Sequence, residues 1–235
     1  MSRTRALAFT VIVAASAATA WAQQPAPAPA PQGRAGGAGP ARGRPPLFFK
    51  EEWKQTAKGG EHAVTPAEAV GNPNLELKLY GPAAKEFLLT GAAGDEANPI
   101  HLWTGMCTSP CGAALRDTTS FVDLSGLARI KWNTKMSGFH QVRPIVKLAD
   151  GTWLIGDKAD GTTTDWLITE VSLADVRWLR LDIATGVTKG NFVDKPDLTK
   201  VDEVGFFDLL PSSGHGPGGW SDVGQIEVYG RPVKR

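Results

Sequence analysis

An all-β sandwich or jelly roll is the fold class this sequence predicts, and three observations predict it. Short apolar runs of strand length recur from residue 47 onward, most of them alternating in polarity. Turn-forming Gly, Pro, Asn and Asp clusters separate them at close intervals. No stretch offers an amphipathic helix longer than one or two turns, and no internal repeat points to a propeller.

The elements follow in order. Leu47-Phe48-Phe49 with Trp53 reads as an opening strand laid onto the domain. Thr65-Pro66-Ala67-Glu68 is a capping box with Pro at the first helical position, and Gly71 stops it. Asn74 to Tyr80 alternates strictly, with its leucines inward, and Ile100 to Thr104 is the next strand. In Ala128 to Lys135, alternation puts Ala128, Ile130, Trp132 and Thr134 on one face and Arg129, Lys131, Asn133 and Lys135 on the other. Asp150-Gly151 between apolar runs predicts a two-residue type I′ hairpin. Such a turn pairs Leu148 with Trp153 and Val146 with Ile155 toward the core, and Pro144 suggests a bulge or an edge. Asp165 to Val171 and Trp178 to Ile183 are strands, with a helical turn at Leu173 to Val176 between them. Gly186 to Lys200 is loop, Glu203 to Leu209 is a central strand, and Gly224 to Tyr229 closes the domain.

Composition bounds the setting. Residues 1–22 have the form of a cleaved export signal. Arg3 and Arg5 precede an uncharged, mostly apolar run, and Ala20-Trp21-Ala22 is a small-x-small cleavage site. Residues 23–46, rich in Pro, Ala, Gly and Arg, form a disordered spacer, and 47–235 form one β-sandwich domain. The whole chain carries 25 basic and 24 acidic residues. Five of those arginines precede residue 47, so the domain holds 20 basic against 24 acidic residues and suggests no nucleic-acid surface. The chain is expected to be periplasmic or extracellular, without a transmembrane anchor once processed. In an exported protein the pair Cys107 and Cys111 points to a short-loop disulfide ahead of free thiols or a metal site.

Val122-Asp123-Leu124-Ser125-Gly126-Leu127, Asp165-Trp166, Val204-Gly205-Phe206 and Ile226-Glu227-Val228-Tyr229 resemble, in order and spacing, the galactose-binding-like jelly rolls, a group that includes many carbohydrate-binding modules. The resemblance covers about residues 120–229. It implies ligand binding on a concave sheet face or in loops at one end, with aromatic rings against sugars. A structural calcium is common in that family, but no acidic cluster here matches it. Asp157 and Asp160 read as turn formers, and no cofactor is expected. Leu47-Phe48-Phe49 before Trp53 is also similar to the opening of secreted sugar-hydrolase sandwiches of the keto-disaccharide type.

Sugar recognition needs flat apolar rings beside planar polar groups. Trp132, Trp153, Trp166 and Trp178 are expected in the core, Trp103 is open, and Trp220, after a Gly-rich loop holding His215, is the expected platform. If the strands carrying them pair, Lys131, Asn133 and Lys135 stand beside Gln141 and Arg143, with Phe139 and His140 at the connecting loop. A solvated sheet face would carry the same residue types. These residues apart from Lys135, with His215 and Trp220, form the expected ligand set of a non-catalytic module binding carbohydrate or a similar polar ligand. A glycan-active hydrolase or lyase is the alternative, with Glu203, Asp208 and Asp222 as the carboxylates to watch. An envelope protein-interaction domain is the third reading. No Gly-x-Ser-x-Gly, His-Glu-x-x-His or phosphate loop is present.

Overall fold

Two antiparallel sheets stack face to face in a computed structural model that describes residues 43–214 and 218–235. The chain enters through β1 (Leu47–Glu51), β2 (His62–Ala63), one helical turn α1 (Pro66–Ala69) and β3 (Leu75–Tyr80). It continues through β4 (Leu88–Thr90), β5 (His101–Trp103), β6 (Cys111–Asp117) and β7 (Ser120–Asp123). The middle comprises β8 (Arg129–Met136), β9 (Val142–Leu148), β10 (Trp153–Gly156) and β11 (Leu167–Ser172). Then come β12 (Trp178–Asp182), β13 (Val187–Val193), β14 (Val201–Asp208), β15 (Ser221–Tyr229) and β16 (Arg231–Lys234). The first sheet runs β11-β8-β15-β5-β4-β2, with β1 on the far half of β15. The second runs β13-β12-β10-β9-β14-β6-β3, with β7 joining β14 to β16. This is the expected β-sandwich jelly roll.

The inner faces supply the core. Ile130, Trp132, Leu102 and Val223 of the first sheet meet Leu115, Val146, Trp178, Val204 and Phe206 of the second, and all are almost fully buried. Trp132 and Trp178 are therefore core residues as expected. The buried indole N–H of Trp132 donates to Asp160, a residue expected only as a turn former.

The β9–β10 hairpin departs from expectation. Its register pairs Trp153 with Lys147, Leu154 with Val146 and Ile155 with Ile145. Leu148 donates to and lies opposite Thr152, so three residues close the turn, with Gly151 at φ +89°. That is the three-residue loop ending in a left-handed glycine, and not the two-residue type I′ turn. The odd count flips the strand: Leu154 faces the core, while Trp153 and Ile155 face outward. Pro144 is neither at an edge nor in a bulge, since β9 lies between β10 and β14. Pro144 sits just past the last β10 pair, where its missing N–H is not needed. A second correction is β13, an exposed edge strand inside the stretch expected as loop. Every residue but the last is exposed, so no apolar alternation announced it.

The outward side of the second sheet holds its own apolar cluster of Ala114, Ile145, Trp153, Ile155, Leu181 and Phe207. Tyr80 of β3 and Trp153 of β10 meet edge to face at 4.8 Å although three strands separate them, so this face is concave. Beneath them the fully buried Glu203 accepts from Lys78 and Lys147, each at 3.0 Å, and from Tyr80 at 2.5 Å. The middle of the concave face is thus filled by the chain's own side chains.

Cys107 and Cys111 are joined in a disulfide, both fully buried. The closed loop is so short that chain entropy assigns it only about 2 kcal/mol. Reducing the bond should lower stability by about that amount in urea denaturation. Mass spectrometry of the unreduced chain should find it two hydrogens light, and quantitative alkylation without reductant would contradict the bond.

Candidate functional site

The expected polar patch does not assemble, because β8 and β9 are in different sheets. β8 pairs β11 and β15, while β9 pairs β10 and β14, and residues 137–141 carry the chain across. Arg143 and Gln141 lie with the second sheet and bond each other at 3.3 Å. Phe139 is 90% exposed on the crossing loop. His140 turns inward: its Nδ1 lies 2.7 Å from Oδ2 of the fully buried Asp208. That same oxygen accepts from Ser221 Oγ at 2.7 Å and Thr104 Oγ1 at 3.4 Å, and Oδ1 accepts from the Leu210 N–H. In a Ser-His-Asp triad the imidazole lies between the other two. Here the carboxylate lies between, so this is a structural hub and not a nucleophile. His215 lies outside the described residues.

Lys131, Asn133 and Trp220 belong instead to the outward side of the first sheet, beside His101, Trp103 and Asp222, the last expected only as a possible catalytic carboxylate. In register, Asp222 of β15 stands between Lys135 of β8 and Trp103 of β5. His101, two residues before Trp103, shares their face and pairs with Thr90. Asp222, His101, Trp103, Trp220, Thr90, Asn98 and Glu61 line one cleft of about 170 Å³. Trp166 was expected in the core. It lies on this outer side instead, its ring edge to face with His101 at 5.0 Å and its N–H donating to Ala97 O at 3.2 Å. Asn133, with a buried and unpartnered Oδ1, lines an adjoining hollow of about 350 Å³ with Trp53, Gly224 and Gln225. Lys131 stands further along, 3.6 Å from Glu227, which also accepts from Tyr229 at 2.6 Å.

Local sequence sets the rings. A Cβ at Gly105 would stand 1.9 Å from the Trp103 ring, so only glycine lets that indole fold back over its own strand.

The centre of the cleft is a pair of buried titratable groups. The side chains of His101 and Asp222 are 5% and 8% exposed, with His101 Nε2 3.6 Å from Asp222 Oδ1. His101 Nδ1 lies 2.7 Å from the Pro99 carbonyl, so Nδ1 carries the hydrogen and Nε2 offers a lone pair when the ring is neutral. Burial pushes the imidazole down to about 4, aided by the Lys135 charge. Burial likewise raises the Asp222 carboxyl to about 7, against hydrogen bonding from Trp220 and the charge of Lys135. Both shifts favour the uncharged forms, so at slightly acid pH this is a neutral acid beside a neutral imidazole and not an ion pair. Asp222 Oδ1 makes no hydrogen bond within the chain.

Such a cleft offers a donor or acceptor at Asp222, an acceptor at His101, a cation at Lys135 and a part-exposed indole at Trp220, with the buried Trp103 ring as its wall. That combination suits a polyhydroxylated ligand with apolar ring faces. The alternation of His101-Leu102-Trp103 already placed two of these side chains on one face. The pairing of β5 with β15, which adds Asp222, has no local signal.

The sequence matches no known protein family profile and no curated protein. Among solved structures, the chain is similar to a family 11 carbohydrate-binding module from Clostridium thermocellum in complex with a β-1,3-1,4-mixed-linked tetrasaccharide. That match has 17% identity and TM-score 0.44, covering 75% of this chain and 99% of that one. A family 61 module in complex with β-1,4-galactotriose matches at 11% identity and TM-score 0.36, over 66% of this chain and 88% of that one. An exo-β-agarase matches at 9% identity and TM-score 0.39, over 78% of this chain and 25% of that one. The likeness is one of β-sandwich architecture, and the site rests on its own geometry.

Proposed function

We propose that this chain is an exported, non-catalytic module that binds carbohydrate in the cleft between Trp103 and Trp220. One observation carries the reading: a carboxyl more than nine-tenths buried, with an unpartnered oxygen, is held among indole rings at an open cleft. An unmade buried hydrogen bond costs stability, and because Oδ1 is shut off from solvent a ligand hydroxyl would satisfy it by drawing the carboxyl toward the cleft. The signal at residues 1–22 belongs to the proposal as the means of export.

The test is binding of the chain to an array of oligo- and polysaccharides. Trp220→Ala and Asp222→Ala should each weaken binding by about 2 kcal/mol, roughly 30-fold. Arg143→Ala, on the other sheet, should leave it unchanged. Failure of the folded protein to bind any glycan would sink the sugar reading.

A second reading is favoured by Glu61, a further carboxylate lining the same cleft as the neutral acid Asp222. A glycan-active enzyme needs such an acid with a second carboxylate in reach. Slow loss of the bound glycan, abolished in Asp222→Asn while binding persists, would move the weight to that reading.

A further inference from the structure

One cavity with an apolar floor opens to solvent away from the indole cleft. It measures about 560 Å³, within the range of small-molecule sites, and is walled by the Leu124–Gly126 loop, residues 173–178 and residues 192–199. Leu173, Val176, Trp178 and Leu198 form its floor and are themselves nearly fully buried. Backbone bonds fix all three walls: Leu124 N donates to Leu198 O at 2.8 Å, Leu173 N donates to Ala128 O at 3.0 Å, and Trp178 pairs with Val193. The cavity is therefore preformed.

Its mouth carries Phe192, 45% exposed, with the Arg177 guanidinium over its ring at 4.3 Å from the centroid. Arg177 is already paired with Asp157 at 2.7 Å. The remaining rim charges, Lys195 against Asp194 and Asp197, leave a surplus of one negative charge for an ionic ligand to meet. Asp197 moreover accepts from both the N–H and the hydroxyl of Thr199. We propose that this cavity is a second ligand site, separate from the indole cleft, for a small molecule with a flat apolar body and no negative charge. The apolar floor takes the body, Phe192 stacks on it, and the net-negative rim disfavours anions.

The probe is neutral phenylnaphthylamine, whose emission rises in apolar surroundings, titrated into the full chain beside its sulfonated analogue. Saturable enhancement with one probe per chain is expected, and weaker binding of the sulfonate. Phe192→Ala should weaken the neutral probe by roughly tenfold. Ala174→Trp, which places an indole at an exposed lining position, should abolish binding. Trp220→Ala, at the other cleft, should change nothing. Absence of saturable enhancement, or enhancement indifferent to both Phe192→Ala and Ala174→Trp, would overturn the site. Tighter binding of the sulfonate would overturn its discrimination against anions. Phe192 is exposed and outside the core, so its variant keeps the test valid if Ala174→Trp does not fold.

Discussion

Replacing Asp222 by Asn should make the domain more stable, by about 2–4 kcal/mol above neutral pH. Burial raises this carboxyl in the native state from 3.8 to about 7. A group raised in this way contributes fully below its unfolded value and loses that contribution as pH rises through the folded one. The advantage of Asn therefore grows between pH 3.8 and about 7 and is constant above. His101 works in the opposite sense. Lowered from 6.5 to about 4, it contributes fully above 6.5 and loses that contribution as pH falls through about 4. In the native protein at intermediate pH one proton sits on Asp222, and in the unfolded chain one proton sits on His101. Equal proton counts make the wild-type stability nearly flat from about pH 4 to 6.5, with a fall between 6.5 and about 7. Asp222→Asn removes the compensation, so its stability should climb across that lower window. Urea denaturation at about pH 5 and about pH 8 reads both effects. A variant less stable than wild type at the higher pH would refute the account. Stabilisation by Asn would fit the binding role proposed for Asp222, since sites kept for function are often costly to the fold.

The opposite sign is expected at Asp208. Its fully buried carboxylate takes His140, Ser221 and the Leu210 N–H, with Thr104 at longer range. Asp208→Ala leaves these donors buried and unpaired, which should cost about 3–5 kcal/mol. The melting temperature should fall by roughly 10 °C. Asp208→Asn, which keeps an acceptor, should lose about half as much. If the Ala variant melts within a degree or two of wild type, the hub contributes nothing. Two aspartates of similar burial thus separate by the sign of their effect: one is satisfied by the chain and the other is not.

Much of the fold was legible because alternation is local. Ile130, Trp132 and Thr134 on one side of β8, and Leu75 and Leu77 on one side of β3, follow from period two alone, and all five are buried. The spacing of Cys107 and Cys111 gave the disulfide. What failed depended on chain paths. Whether β9 follows β8 in the same sheet is decided by residues 137–141, whose composition is that of any loop. The outward polar face of β8 was read correctly, but its partners turned out to be Asp222 and His101, more than thirty residues away on either side. Trp166 was misplaced because its position just before β11 says nothing about the Ala97 carbonyl that holds it on the outer side.

The turn after Leu148 has a consequence for how this fold tolerates change in length. Three residues there send Trp153 outward to meet Tyr80 above Glu203. Deleting Ala149 would leave Asp150-Gly151 as a favourable two-residue turn, with every residue of β10 still suited to a strand. Yet the indole and Ile155 would then point between the sheets, where Leu154 now fills the space, and Tyr80 would lose its partner. The hollow side of the second sheet is encoded less by which side chains the hairpin carries than by the parity of one loop. A single-codon deletion there could open that hollow without altering a residue that lines it.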